Sequence, residues 1–249
     1  MNIDLKIIDL ILKRKKRQKS SVSTDGLSWK IMYKNKEYHI LKIKEYIENY
    51  KFNNIEEIQS YKVSNFCIYV PNMYERVVQL YFCEILEKLK KKEIPMVIRR
   101  ESLIKEWFFN KSKIYNKYYC THLDIKHYFN SITIKHVESL ILSFFNTDSV
   151  TRNMILQMIR FGKNGEGLLV GFPLNSYIAD HILLFIDVKL INDDVIRFHD
   201  DFFVYHKKPN MPLSINDKIF NEIVKLNFEM NSSKIKTLQY PFVIYDFFK

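Results

Sequence analysis

The chain has 249 residues, a formal net charge of +11, 47% hydrophobic and 15% aromatic residues, and only 5 glycines and 6 prolines. That excludes a disordered or loop-rich chain and leaves enough apolar material for one large domain or two small ones. Cys67, Cys83 and Cys120 are odd in number and far apart, which excludes a disulfide framework or a zinc cluster and reads as buried thiols in a reducing compartment.

No apolar run reaches the length of a membrane span, and Met1–Leu5 carries an acid and lacks the pattern of a signal peptide. The expectation is a cytoplasmic protein with no membrane partner. The charge is uneven. Residues 1–123 hold 25 Lys and Arg against 14 Asp and Glu, whereas residues 124–249 hold 14 of each. A basic half joined to a neutral half suits a polyanion held by one part and processed by the other.

In chain order, Asn2–Leu12 has the spacing of a short helix, followed by six cations within Lys13–Lys19 that read as a solvated basic arm able to grip phosphates. Residues 36–50 read as helix, with a short continuation over 55–61. Ser64–Val70 reads as a strand stopped by Pro71. Residues 72–92 form a long amphipathic pattern through Val77, Val78, Tyr81, Ile85 and Leu89. Arg99, Arg100 and the cations of 105–117 alternate with Trp107, Phe108, Phe109, Tyr115, Tyr118 and Tyr119, a mixture that suits single-stranded nucleic acid or a packed core.

Tyr118–Leu123 reads as a strand ending on Asp124. Helical spacing covers 131–145 and 150–161. Four of the five glycines then fall within Gly162–Gly171, marking a backbone-approach loop. Pro173 opens a helix expected to run to about Ile191. Val195–Tyr205 places Asp200 and Asp201 between two β-prone runs, where a hairpin turns. Ionised neighbours of this kind repel, so the pair is either a solvated tip or, with a third carboxylate, one end of a cation site. Asp124 can supply that carboxylate if the two strands are neighbours. A helix over 214–226 and an aromatic strand over 242–248 complete the chain.

The order of these pieces resembles the reverse transcriptase family. Asp124-Ile125-Lys126-His127-Tyr128-Phe129 resembles its first palm motif, and Gly167-Leu168-Leu169-Val170-Gly171-Phe172-Pro173 the second. Phe198-His199-Asp200-Asp201 resembles the aromatic-x-Asp-Asp box, Asn231-Ser232-Ser233-Lys234 the fourth motif, and Phe242–Phe247 the primer grip. Ile68–Pro71 with Glu75–Gln79 is similar to the finger region. Val170, Phe185-Ile186-Asp187 and Arg197 look most like the bacterial defence-associated, abortive-infection branch.

The resemblance implies an α+β fold of fingers and palm, with an antiparallel palm sheet, helices packed on one face and a mostly helical basic N-terminal half. It divides the chain into a basic extension over 1–60, a fingers-like region over 61–123 and a palm over 124–249. It implies an RNA-directed DNA polymerase acting in antiphage defence. Asp124 and Asp200 would bind two Mg²⁺, which Mn²⁺ could replace, with Asp201 supporting. Lys234 would serve the leaving pyrophosphate, Phe129 would exclude a 2′-hydroxyl, and Gly171 would let the backbone approach the nucleotide.

The chain also departs from the family pattern. Leu169-Val170 stands where Pro-Gln is usual, and Phe66 where the finger arginine is usual, leaving Lys62 or Arg76 to clamp a triphosphate. His199 replaces a small residue. The sequence stops at the fifth motif, so either a second chain or helical partner would supply the thumb, or processivity would be poor, or polymerisation would be lost. The implied partners are a template and primer, the template expected to be RNA, and dNTPs. Untemplated synthesis, or a weakly active palm that serves as a binding subunit, are the competing readings.

Overall fold

The computed structural model describes residues 3–18, 23–49, 59–63, 66–91, 105–110, 118–162, 165–191, 193–209 and 213–239. Helices and strands mix, and the paired strands run antiparallel, an α+β arrangement. The chain forms two compact units, each joined from separated pieces: residues 1–92 with 132–178, and residues 93–131 with 179–249. The sequence reading divides the chain into three consecutive segments instead.

In the first unit, α1 (Leu5–Lys15), α2 (Trp29–Lys34), α3 (Lys36–Glu48) and α4 (Met73–Leu89) bury Ile8, Leu12, Met32, Ile43, Val77, Val78, Tyr81 and Phe82. Asp4 caps α1 by accepting from the Lys6 amide at 3.0 Å. The helix then runs on through Lys13–Lys15, so part of the expected basic arm is its last turn, where cations suit the helix dipole. Lys13 pairs with Asp9 at 2.5 Å and Arg14 with Glu84 at 2.7 Å. Both pairs are exposed enough to add little stability.

Ser60 and Tyr61 do not continue a helix. They belong to β1 (Ser60–Val63), which pairs with β2 (Phe66–Tyr69) just before Pro71. Two further helices follow in this unit, α7 (Ile134–Phe144) and α8 (Ser149–Met158), the latter capped by Asp148. The described part of the glycine loop after α8 is tied down by its backbone. Gly162 donates to the Gly167 carbonyl at 2.8 Å, Gly167 to Ile132 at 3.0 Å, and Tyr69 to Val170 at 2.9 Å.

A buried polar network backs this loop. Arg160 puts Nε and a terminal nitrogen on Glu75 Oε1 at 2.9 and 2.7 Å. Asn175 donates to the Arg160 and Leu169 carbonyls at 2.6 and 2.9 Å. Gln79 accepts from the Leu174 amide at 3.1 Å.

The single long helix expected from Pro173 is two: α9 (Pro173–Ile182) and α10 (Leu184–Asp187), with Leu183 between them at ψ 0°. Ile182, Leu183 and Leu184 are all buried. They belong to a run, Tyr177–Leu184, that is buried throughout.

The second unit holds a four-stranded sheet in the order β4-β5-β3-β6. Its strands are β3 (Tyr119–Asp124), β4 (Val195–Phe198), β5 (Asp201–His206) and β6 (Lys236–Gln239). The sequence reading has no β6. The aromatic strand it expects over 242–248 lies outside the described residues, as do 99–100 and 111–117.

Helices cover both faces of this sheet, not one. On one face the α5 segment (105–110) sets the Phe108 ring edge-on to Phe203 at 5.8 Å, over Cys120 and Ile196. On the other, Arg197 reaches Asp180 and Asp187 of α9 and α10. Phe202–His206 are all buried, and a strand buried on alternating sides needs cover on both. Helix α11 (Leu213–Lys225), packed on α10, is followed by a left-handed Asn227 at φ +57°. Phe228 donates back to Ile223 at 3.1 Å and Asn227 to Val224 at 2.8 Å, which closes the helix and returns the chain to the sheet.

The cysteine expectation holds in one case of three. Cys120 is buried, and burial pushes its thiol well up, whereas Cys67 is exposed and Cys83 half-buried. Among the described residues no helix is long and apolar enough to cross a membrane.

Gly171 generates a testable outcome. Its φ is +109°, and a Cβ there would sit 2.0 Å from the Tyr69 carbonyl oxygen. Gly171→Ala is expected to lower stability by at least ~2 kcal/mol in urea unfolding, because both the backbone angle and the space are lost.

Candidate active site

Antiparallel pairing of β3 with β5 places Asp124 directly opposite Asp201. Asp200 and His199 form the two-residue turn between β4 and β5, bounded by the Phe198–Asp201 pair. With no glycine in the turn, His199 takes the left-handed conformation at φ +55°. Three carboxylates therefore gather at one end of one sheet, all within the second unit. Asp124 is 6% exposed, and Asp200 and Asp201 are partly buried.

Each carboxylate has a different setting. Asp124 Oδ2 accepts from Asn231 Nδ2 at 2.8 Å and from Lys234 Nζ at 3.0 Å, and the Asp124 carbonyl accepts from the Asn231 amide at 2.8 Å. The bridge between Ile125 and Met230 brings this segment alongside β3, and a short turn of helix over Ser232–Lys234 carries the lysine. Asp201 Oδ1 lies 2.6 Å from Nε2 of His122, a buried residue two places before Asp124 on the same face of β3. Burial, then the charges of Asp201 and Asp124, push the Asp200 carboxyl up to about 6.

The turn is also held from the opposite face. Arg197, 6% exposed, forks onto Asp187 with Nε at 2.8 Å and a terminal nitrogen at 2.5 Å. Its other contacts are to backbone: the His199 carbonyl at 2.5 Å and the Asp180 carbonyl at 3.0 Å. His199 Nδ1 meets Asp180 Oδ1 at 2.6 Å, which raises the imidazole pKa.

Of the residues singled out from sequence, Asp124, Asp200, Asp201 and Lys234 come together here. Phe129 is half-buried on the short helix α6 (Tyr128–Ser131) of the same unit. Its ring lies edge-on to Tyr128 at 6.2 Å, and Tyr128 donates to the Ala179 carbonyl at 2.5 Å. Gly171, Lys62 and Arg76 belong to the first unit. There Lys62 is exposed on β1, and Arg76 is half-buried on α4, where burial lowers the guanidinium pKa. The sequence reading missed His122, Asn231 as a ligand of Asp124, and Asp180. It noted Arg197 and Asp187 without pairing them.

Among the described residues no three His, Cys, Asp or Glu side chains form a ready-made metal cage. The oxygen donors present still fit Mg²⁺, which is commonly held by one or two carboxylates with substrate phosphates completing its shell. Asp124 and Asp201 both already carry partners, Asn231 with Lys234 on the one and His122 on the other.

No family model matches the chain, and no curated protein matches it. Solved structures similar to it include apo telomerase from Candida tropicalis truncated from its C-terminal domain, at 13% identity and a TM-score of 0.49, covering 75% of this chain and 50% of that one. Telomerase from Candida tropicalis with a TWJ fragment of telomeric RNA gives 12% identity and a TM-score of 0.48, covering 86% and 45%. The corresponding complex from Candida albicans gives 13% and 0.41, covering 68% and 34%. The chain thus spans half the length of these proteins or less. Likeness of this degree carries neither an activity nor a partner across.

Two outcomes follow from the electrostatics. Asp200 titrates near 6 in the fold against its ordinary 3.8, so the folded chain keeps a proton that the unfolded chain releases. That stabilisation is complete below the ordinary value and lost as pH rises through about 6. In chelator at pH 7.5, Asp200→Asn should therefore be more stable than the parent by ~1–3 kcal/mol in urea unfolding, with the gap closing toward pH 4. Conversely, His122→Phe should lower stability by ~1–3 kcal/mol, because Asp201 loses its partner.

Proposed function

We propose that the chain is a reverse-transcriptase-like DNA polymerase that adds deoxynucleotides by two-metal phosphoryl transfer. The observation that supports this is the register of β3 with β5, which sets Asp124 opposite Asp201 and beside the Asp200 turn, with Lys234 on Asp124. A solvated hairpin tip would require neither a third carboxylate across the sheet nor a lysine reaching it.

In this reading Asp124 and Asp200 hold two Mg²⁺, and His122 fixes Asp201 as the supporting carboxylate. When bound, the ions supply activation of a primer hydroxyl and neutralisation of the triphosphate. Lys234 is 60% exposed, so it can leave Asp124 and meet the departing pyrophosphate. Phe129, half-buried on α6, presents a ring that selects against a 2′-hydroxyl. Template and primer bind through the basic half. A role in antiphage defence is the finer part of the proposal and rests on Val170, Phe185-Ile186-Asp187 and Arg197 in the sequence.

The test is incorporation of each labelled dNTP by purified protein with Mg²⁺ or Mn²⁺, with and without a primed RNA template. Template-dependent incorporation that Asp200→Ala abolishes is the expected result. Incorporation without template would replace templated by untemplated synthesis, and no incorporation under any condition would leave a nucleic-acid-binding subunit. Two variants sharpen it. Lys234→Ala should cut kcat by ~10²-fold. Phe129→Val should raise ribonucleotide incorporation relative to deoxynucleotide.

A further inference from the structure

We infer that Arg197 is the positioning residue of the acidic turn: its guanidinium, anchored by Asp187, fixes the backbone from which Asp200 presents its carboxylate. The inference rests on the metal-site reading above and goes beyond it, because Arg197 touches no acid of the candidate site.

The turn needs such a device. It has two residues and no glycine, and His199 occupies the left-handed region, which costs a β-substituted residue ~1 kcal/mol or more. Asp200 shares this end of the sheet with the carboxylates of Asp201 and Asp124, and ionised neighbours repel. The strain and the repulsion both favour opening the turn. Arg197 opposes this from the opposite face of the sheet. One nitrogen holds the His199 carbonyl, the peptide oxygen that leads into Asp200, at 2.5 Å. The remaining contacts, to Asp187 at 2.8 and 2.5 Å and to the Asp180 carbonyl at 3.0 Å, lock the guanidinium plane to α9 and α10.

A lysine cannot reproduce this. It carries the charge on a single nitrogen and cannot fork on Asp187 while also reaching two carbonyls. The arginine is buried, so its bonds are little screened by solvent. Asp187 has the complementary task of fixing the plane, and Asp187→Asn keeps the shape while removing the charge that pairs with Arg197.

The experiment measures Mn²⁺ binding to the purified protein by electron paramagnetic resonance, with and without a dNTP, beside circular dichroism and thermal unfolding. Asp200→Ala tests the site itself, and Arg197→Lys and Asp187→Asn test the positioning. Glu75→Gln, at the buried ion pair of the first unit, serves in the measurement without dNTP as a variant that weakens the fold elsewhere. The expected result is that Arg197→Lys weakens Mn²⁺ binding ~10-fold per folded molecule, the scale of lost support to a metal ligand. Asp187→Asn should weaken it less, and Glu75→Gln should leave it unchanged.

Equal affinity in the parent and Arg197→Lys overturns the inference while the site reading stands. So does a loss in Glu75→Gln as large as in Arg197→Lys. A parent that binds no Mn²⁺ in either condition overturns the site reading itself. If Arg197→Lys does not fold, Asp187→Asn decides: parent-like affinity in that variant overturns the inference.

Discussion

Three carboxylates at one end of a sheet repel one another, and burial makes the repulsion stronger than it would be in water. Much of the second unit answers to that constraint. His122 faces Asp201, Asn231 and Lys234 face Asp124, and Arg197 grips the turn backbone behind Asp200. The helix termination at Asn227 matters for the same reason, since it returns the chain so that Asn231 can meet both the carbonyl and the carboxylate of Asp124. Burial first, and then the charges of Asp201 and Asp124, hold the Asp200 carboxyl up to about 6.

The first unit treats buried polarity in the opposite way. Arg160 and Glu75 are both almost wholly buried and are paired through two nitrogens. Around them Asn175 and Gln79 satisfy backbone groups of the glycine loop. A buried pair of this kind adds little net stability, but it is costly to break, so it fixes a conformation more than it deepens the fold. Gly171 lies in the segment so fixed. The close approach of the Tyr69 carbonyl is a sufficient reason for a glycine there, independent of any nucleotide.

What could be read in the sequence was local. The hairpin around Asp200 follows from two β-prone runs, the long helix α4 from its apolar spacing, and the strand ending on Asp124 from Tyr118–Leu123. The juxtaposition of Asp124 and Asp200 was conditional on which strands are neighbours, and only the sheet order decides that. His122 was illegible because its partner lies 79 residues away and a lone histidine in a strand has no local signature. The fork of Arg197 on Asp187 spans only ten residues, yet it joins a strand to a separate short helix, and the break at Leu183 that sets α10 off has neither Gly nor Pro to announce it. β6 was missed because Lys236–Gln239 is short and half exposed. The cover on the second sheet face was ambiguous because Trp107 and Phe108 suit a stacking surface as well as a core.

The position of β3 in the sheet has a consequence for synthesis of the chain. Both of its neighbours come later in sequence: β5 pairs Tyr119 with His206, and β6 pairs Tyr119 with Gln239. A strand emerging from the ribosome must therefore wait for some 80 further residues before its first partner exists, roughly 4 to 16 s at ordinary elongation rates. Through that interval Tyr119–Asp124 has neither of these partners on its edges, although five of its six residues end up buried. Pairings so distant in sequence close slowly even after release. The strand that carries the first aspartate is thus also one that needs protection from other strands while its partners are made, whether by a chaperone or by the early docking of its own neighbours.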